Sequence, residues 1–376
     1  MRHRLLLVLL LLLAVAPPAH GANYLRLGFD DDTIKWKLKP DGFVALQREL
    51  GAPFTRITIP WRPGEVKLPP LVRTYVGRAR AAGELRQKVV LAVYGEAQDA
   101  PTTPAARNQF CRYARNVAAA VPYMSAIVIW NEANSPTYWP QGPEAGAATY
   151  EALLARCYDV LHALRPGVNV VESTAPGHGL LRFIADLGEA YRDSGRERPI
   201  IDTFGHNPYP EYAAEDPWTP HPDSDSVGEG DYDRLIAALA QAFEFTAQPV
   251  PSATWPRLWY LEDGFQTTLP WWVRPLYTGR ENDPTVLPPA GDGKSQASQL
   301  VAAISLAYCQ PAVSAFFNFQ LIDDHRLVGW QSGLIYANGI RKPSFDAYRQ
   351  IAAAVASRSI DCTKVIGAPH DQTPPP

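Results

Sequence analysis

Eight short apolar runs, rich in β-branched residues, alternate with helical patterns along most of the chain. The runs are Tyr24–Phe29, Thr55–Ile59, Lys88–Tyr94, Ala126–Trp130, Asn169–Glu172, Ile201–His206, Arg257–Leu261 and Ser314–Leu321. Helical patterns lie between or after them, at Ala105–Ala120, Ala147–Leu164, Leu180–Ser194, Tyr232–Gln248, Ser295–Tyr308 and Ser344–Ala356. Continuous apolar strands that alternate with helices indicate a parallel sheet covered on both faces. Eight such units without a break in composition predict one α/β domain, a closed (β/α)8 TIM barrel.

An open doubly wound sheet is the alternative, but no strand here leads into the Gly-rich phosphate loop typical of that fold. We expect the barrel to occupy residues 22–362. The segment from Thr363 to Pro376 is polar and ends in three prolines, so we expect it to be a disordered tail.

The first 21 residues have the three parts of a secretory signal peptide. Basic residues Arg2 to Arg4 precede an apolar run from Leu5 to Ala16, and Ala19-His20-Gly21 resembles a small-residue cleavage site. The apolar run is short for a membrane span, although an uncleaved anchor is the alternative. We therefore expect cleavage near Gly21 and a secreted protein that has no membrane contact afterwards.

The composition indicates an ordered globular protein and argues against one class of binding partner. Hydrophobic residues make up 46% of the chain and charged residues 19%, as in an ordered globule. Removing the signal peptide leaves 33 basic and 38 acidic side chains. This mildly acidic balance without a basic cluster argues against nucleic acid as a partner. We expect a monomer.

Four cysteines remain after signal cleavage, an even number that suggests two disulfides in an exported protein. Three pairings are possible. Cys111 and Cys157 fall on successive predicted helices, whereas Cys309 and Cys362 bracket the end of the chain, so we expect Cys111–Cys157 and Cys309–Cys362. The spacing does not fit a metal-binding CxxC motif, and we expect neither a metal nor a cofactor.

Two glutamates follow strands in matching places. Glu132 ends the fourth run in AIVIWNEANSPTYW, and Glu262 ends the seventh in LWYLEDGFQT, 130 residues or about three barrel units later. Residues just beyond the carboxyl ends of barrel strands converge on the active site. Two carboxylates that face one pocket are what glycoside hydrolysis needs, because one protonates the leaving oxygen while the other attacks the anomeric carbon.

These motifs resemble those of clan A glycoside hydrolases, the retaining (β/α)8 enzymes that include cellulase-like and β-xylosidase-like families. Trp130-Asn131-Glu132 matches the Asn-Glu pair after the fourth strand, and Leu261-Glu262-Asp263-Gly264 matches the nucleophile segment after the seventh. The resemblance implies that Glu132 is the general acid/base and Glu262 the nucleophile. It also implies that Asn131 binds the sugar 2-hydroxyl.

Further residues extend the resemblance over nearly the whole mature chain. Arg56 matches an arginine of the second strand that would keep the nucleophile ionised. His206 and Tyr209 resemble the pair found after the sixth strand, but two residues separate them instead of one, so which of them reaches Glu262 stays open. The closing stretch GWQSGLIYANGIRKPSFDAY also resembles that of the clan.

Aromatic residues are further candidates for contact with a sugar. The eighth strand ends in Phe319-Gln320-Leu321, where many clan members have a Trp, and Trp330 is a candidate to return to that position. Trp139 and Trp271 are candidate substrate-binding residues as well. Trp271 has an equally plausible alternative role in the core of its loop.

The leading prediction is a secreted retaining β-glycoside hydrolase acting on an oligosaccharide or polysaccharide. A barrel that binds glycan without cleaving it is one alternative, and a transglycosylase that uses the same residues is another. Glucan, mannan, xylan and arabinoside substrates are all compatible with the sequence, as are exo and endo action.

Overall fold

The computed structural model describes residues 25–139, 143–255, 257–280 and 293–369. Within these ranges, eight strands and eight helices alternate along the chain. The strands are β1 (Arg26–Asp30), β2 (Phe54–Pro60), β3 (Lys88–Tyr94), β4 (Met124–Ile129), β5 (Val170–Val171), β6 (Phe204–His206), β7 (Leu258–Asp263) and β8 (Val313–Phe319). The helices are α1 (Pro40–Glu49), α2 (Pro70–Glu84), α3 (Pro104–Ala120), α4 (Pro143–Leu164), α5 (Leu180–Asp193), α6 (Tyr232–Ala242), α7 (Gly293–Cys309) and α8 (Pro343–Ser357).

The strands form one parallel sheet in the order β5-β4-β3-β2-β1-β8-β7-β6. Single parallel bridges between Val171 and Thr203, and between Thr174 and His206, join the two ends of this sheet. The predicted (β/α)8 barrel is therefore confirmed. The barrel closes between its two shortest strands, β5 and β6. Because the strands are parallel, their carboxyl ends all lie at the same end of the barrel.

Helix boundaries follow local sequence signals. Proline occupies the first position of α1, α2, α3 and α8, where its missing N–H has no intrahelical partner to lose. Helix α6 ends at Ala242, six residues before the predicted end. Phe245 adopts a left-handed φ of 56°, and the Thr246 hydroxyl donates to the carbonyl of Phe243 at 2.7 Å, so the chain turns away there.

Both predicted disulfides are present. Cys111–Cys157 joins α3 to α4, and Cys309–Cys362 joins the end of α7 to a turn that follows α8. The tail expected from the sequence begins at Thr363, one residue after the second bridge. Residues up to Pro369 are described, with a 3-10 turn at Cys362–Lys364 and Ala368 buried against the core, because the disulfide holds this segment on the barrel. Residues 370–376 lie outside the described ranges.

The predicted signal peptide at residues 1–21 also lies outside the described residues. In the part of the chain that the structure describes, no helix is both long enough and apolar enough to cross a membrane.

Candidate active site

The segment after β4 is held in place by a buried tryptophan. Trp130 packs edge-on against Trp61, Phe110 and Trp139 at centroid distances of 5.6 to 6.4 Å, and its indole N–H donates to the carbonyl of Tyr138 at 2.8 Å. Both Trp130 and Glu132 have left-handed φ values, 69° and 40°. Such backbone costs about 1–3 kcal/mol per residue and persists only where its surroundings enforce it.

Arg56 on β2 links the ends of three other strands. Its Nη1 lies 2.6 Å from Oε1 of Glu262 and also contacts the carboxylate of Asp30 at the end of β1. Its Nη2 donates to Oδ1 of Asn131 at 2.8 Å. Burial lowers the pKa of Arg56, but the charges of Asp30 and Glu262 outweigh it and raise that pKa. A permanent positive charge, only 1% exposed, therefore lies between the two acids.

The loop after β6 reaches both glutamates. The hydroxyl of Tyr209 donates to Oε2 of Glu262 at 3.1 Å, and Nδ2 of Asn207 donates to Oε1 of Glu132 at 2.8 Å. Glu262, 9% exposed, thus receives hydrogen bonds on both carboxylate oxygens, one from Arg56 and one from Tyr209.

His206 does not reach the glutamates through its ring nitrogens. Its Nε2 pairs with the carbonyl of Val227 at 2.7 Å, and its Nδ1 pairs with the hydroxyl of Thr174 at 3.2 Å. Burial lowers its pKa to about 4, so the ring is neutral near pH 7. The question that the sequence left open between His206 and Tyr209 is answered by geometry: Tyr209 contacts Glu262, and His206 joins β6 to its neighbouring loops.

The two glutamates have different electrostatic surroundings. Burial, reinforced by the negative charge of Glu262, raises the pKa of Glu132 to about 7, while the hydrogen bond from Asn207 and the charge of Arg56 act in the opposite direction. Glu262 instead has the guanidinium of Arg56 at 2.6 Å. A pair of acids whose environments differ in this way is suited to separate roles, one donating a proton and the other attacking.

A cluster of aromatic rings surrounds Tyr209, the residue that contacts Glu262. The ring of Trp330 lies 5.0 Å from that of Tyr209 and 5.3 Å from that of Phe319. Trp330 is partly exposed. The structure therefore brings Trp330 back to the end of β8, beside the tyrosine that contacts Glu262, and contact of its ring with a sugar stays a prediction.

Trp139 and Trp271 occupy opposite environments. Trp139 is fully buried, with its ring 5.6 Å from that of Trp130 and 5.5 Å from that of Tyr150. No face of it is open to a ligand, so Trp139 is part of the hydrophobic core and is not a substrate contact in this structure. Trp271 is 86% exposed on the loop after β7, and its role in substrate binding stays a prediction.

Two polar residues of this site were not singled out from the sequence. Asp30 shares Arg56 with Glu262, and Asn207 holds Glu132. Both stand at strand ends: Asp30 is the last residue of β1, in GFDDD, and Asn207 follows β6, in GHNPYP. That position was the available signal, but it is shared by many polar loop residues.

No protein-family model matches this chain, and no curated protein matches it. Solved structures do. A family 39 glycoside hydrolase from Bacteroides cellulosilyticus WH2 is 17% identical with a TM-score of 0.57, over 90% of this chain and 66% of its own. The family 39 enzyme from Xanthomonas axonopodis pv. citri is 18% identical with a TM-score of 0.56, over 91% and 68%. A glucosidase from Croceicoccus marinus is 12% identical with a TM-score of 0.59, over 90% and 68%.

The likeness shows the fold. The chain spans 66% to 68% of the length of these three proteins. At such low identity, the activity rests on the site itself and not on the resemblance of the barrels.

Proposed function

We propose that this chain is a retaining β-glycoside hydrolase in which Glu132 is the general acid/base and Glu262 the nucleophile. One observation carries the proposal: Arg56 and Tyr209 hold Glu262 at 2.6 and 3.1 Å, while burial and the charge of Glu262 raise the pKa of Glu132 to about 7. The site therefore offers a carboxylate beside a carboxylic acid near neutral pH, the combination that double displacement requires.

In the first step, a carboxylate oxygen of Glu262 attacks the anomeric carbon. The glycosidic bond breaks, its electron pair goes to the leaving oxygen, and that oxygen takes the proton of Glu132. Arg56 and Tyr209 orient Glu262 for the attack. In the second step, water gives its proton to Glu132 and displaces Glu262 from the sugar.

The switch of Glu132 from acid to base follows from the same charges. The negative charge of Glu262 contributes to the raised pKa of Glu132. That charge disappears when Glu262 becomes an ester, so the pKa of Glu132 falls and its carboxylate becomes available to accept a proton. Arg56, which loses one of its two acidic partners in the ester, then favours this carboxylate further.

The proposed substrate is a β-linked oligosaccharide or polysaccharide. The flat ring of Trp330, which packs against Tyr209, is suited to stack on a sugar, and solved structures with this fold include family 39 glycoside hydrolases and a glucosidase. Secretion and a monomeric state are part of the proposal. The two disulfides support export, because such bonds persist mainly in oxidising compartments.

The test is hydrolysis of a panel of aryl β-glycosides and β-glycans by the purified protein and by Glu262→Ala. We expect turnover by the wild type, loss of turnover in Glu262→Ala, and partial rescue of that variant by azide with an inverted glycosyl azide as product. Glu84→Ala is the matched control, since Glu84 is exposed on α2 and pairs with Arg80.

Glu132→Gln separates the two roles. This variant should hydrolyse activated dinitrophenyl glycosides far better than unactivated substrates, because a good leaving group needs no proton in the first step. Inverted stereochemistry of the hydrolysis product would contradict the retaining mechanism. Glycan binding that is unaffected by both glutamate substitutions, without turnover on any substrate, would instead identify a binding protein.

A further inference from the structure

The loop between β6 and α6, residues 207–231, holds both glutamates of the proposed site. Asn207 contacts Glu132 and Tyr209 contacts Glu262, at 2.8 and 3.1 Å. Whatever fixes the conformation of this loop therefore fixes the hydrogen bonds of both proposed catalytic groups.

A buried histidine lies at the centre of this loop. Nδ1 of His221 is 2.6 Å from Oδ2 of Asp231, and its Nε2 is 2.5 Å from Oε1 of Glu215. An ionised carboxylate oxygen only accepts hydrogen bonds, so the ring can bond two such carboxylates at once only as an imidazolium, with hydrogen on both nitrogens. The short distances are typical of charge-assisted hydrogen bonds, and the side chain is only 7% exposed.

Glu215 connects His221 to the backbone near Tyr209. Oε2 of Glu215 accepts from the amide of Glu211, two residues after Tyr209, at 2.5 Å. The prolines on either side of Tyr209, Pro208 and Pro210, line the same small cavity as His221.

Asp231 holds the C-terminal end of the loop, close to α6, by hydrogen bonds. Its carboxylate accepts from the amides of His221 and Gly228 at 2.8 and 3.0 Å. Arg234 donates to the same carboxylate at 2.9 Å and to the carbonyl of Ser226 at 3.2 Å. Removing the imidazolium would leave Glu215 and Asp231 facing each other across the space that it occupied.

We propose that His221 is a positioning residue, whose imidazolium between Glu215 and Asp231 holds the loop so that Tyr209 meets Glu262. The catalytic part of this inference rests on the proposed glycosidase function. The structural part, a doubly hydrogen-bonded and charged histidine, does not.

Other charged groups around the ring are compatible with this state. Glu211 lies 4.0 Å from Nε2 of His221 and adds a further negative charge. Glu229 and Asp263 line the same cavity, but burial raises the pKa of both carboxyls well above the usual range, which favours their neutral forms. Burial lowers the pKa of His221, and the hydrogen bonds to Asp231 and Glu215 outweigh it, so the pKa of His221 is raised.

The sign of the pH dependence follows. Because the pKa of His221 is higher in the folded state than its unfolded value, its contribution to stability is complete below the unfolded pKa. It is lost as pH rises through the folded one. The melting temperature of the wild type should therefore fall toward that of His221→Gln as the pH rises.

A double-mutant cycle tests the positioning role. His221→Gln should lower kcat/KM by up to about 10²-fold, the scale of a small misplacement of a catalytic group. In a Tyr209→Phe background it should have little further effect, because Tyr209 is the group through which it acts. His162→Gln is the matched control: His162 pairs with Asp202 at 2.9 Å on the outer side of the barrel, and this variant should keep wild-type activity. Equal losses in both backgrounds would overturn the positioning role.

A second substitution provides rescue. In His221→Gln, the amide oxygen must face one of the two carboxylates, which is repulsive. Adding Glu215→Gln supplies an amide N–H to that oxygen, so the double variant should recover most of the lost kcat/KM. A loss caused only by altered packing would not be rescued, and that result would also overturn the proposal.

Nitrogen-15 NMR of the histidine-labelled wild-type protein tests the structural part without turnover. Both ring nitrogens of His221, assigned by the loss of its signals in His221→Gln, should carry protons at pH 7.5. A neutral ring at that pH would overturn the proposed imidazolium between Glu215 and Asp231. If the wild type lacks glycosidase activity while His221 is doubly protonated, the proposed function fails, and the charged His221 between Glu215 and Asp231 stands as a structural feature only.

Discussion

Nη1 of Arg56 lies 2.6 Å from Oε1 of Glu262, and Nη2 of the same guanidinium lies 2.8 Å from Oδ1 of Asn131. One buried cation on β2 thereby sets the position of the segment after β4 relative to the end of β7. The planar fork of arginine has the geometry for this task, since its donors point in fixed directions.

Arg56→Lys should lower kcat/KM on the order of 10²-fold, because a single ammonium cannot bridge Glu262, Asp30 and Asn131 together. Steady-state kinetics on an aryl glycoside, beside melting temperatures, measures this effect. Arg80→Lys is the control, as Arg80 forms an exposed pair with Glu84 on α2 and such pairs contribute little. Wild-type kinetics in Arg56→Lys would show that charge alone suffices.

Asn207→Ala should move the alkaline limb of the pH–kcat/KM profile to higher pH. The proposed acid must be protonated, so activity falls as pH rises through the pKa of Glu132, which is about 7. The hydrogen bond from Asn207 lowers that pKa, and its removal raises it. Tyr209→Phe, which alters the contact with Glu262 instead, serves as the comparison. A limb that moves to lower pH in Asn207→Ala would contradict this assignment.

Trp330→Ala should lower kcat/KM by about 3- to 10-fold, the scale of one aromatic contact, and Trp330→Phe should lose less. The indole packs at 5.0 Å against Tyr209, which contacts Glu262, and it is partly exposed. Trp255→Ala is a matched control, because Trp255 is 41% exposed but precedes β7, at the end of the barrel opposite to the site. Equal effects of the two substitutions would remove Trp330 from the substrate site.

Replacing Cys309 and Cys362 together by serine should lower the free energy of unfolding by about 2–4 kcal/mol. The bridge closes a loop of 53 residues and holds the segment after α8 on the barrel. Chemical denaturation of the variant against the wild type measures the difference, and activity at low temperature should be retained because the bridge lies away from Glu132 and Glu262. An unchanged midpoint would show that packing of Ala368 alone holds this segment.

The sequence by itself determined the barrel, both disulfides, and the strand-end positions of Glu132 and Glu262. These features depend on periodicity and on spacing along the chain. Continuous apolar runs specify buried parallel strands, and equal spacing brings residues of distant strands to one face. The notable miss in helix length, at α6, came from Phe245 and Thr246, where local hydrogen bonding ended a helix that the apolar pattern alone would have continued.

Only the tertiary structure decided which loop side chains meet the glutamates. His206 and Tyr209 are three positions apart. The carbonyl of Val227, 18 residues beyond Tyr209 in the loop, bonds Nε2 of His206, whereas the hydroxyl of Tyr209 donates to Glu262. Trp139 follows Glu132 closely in the sequence, yet the turn at Ser135, whose carbonyl accepts from the amide of Trp139 at 2.9 Å, carries the indole into the core. Periodicity fixes the faces of regular strands and helices, but a loop side chain is placed by contacts with residues far away along the chain, and these exist only once the barrel has closed.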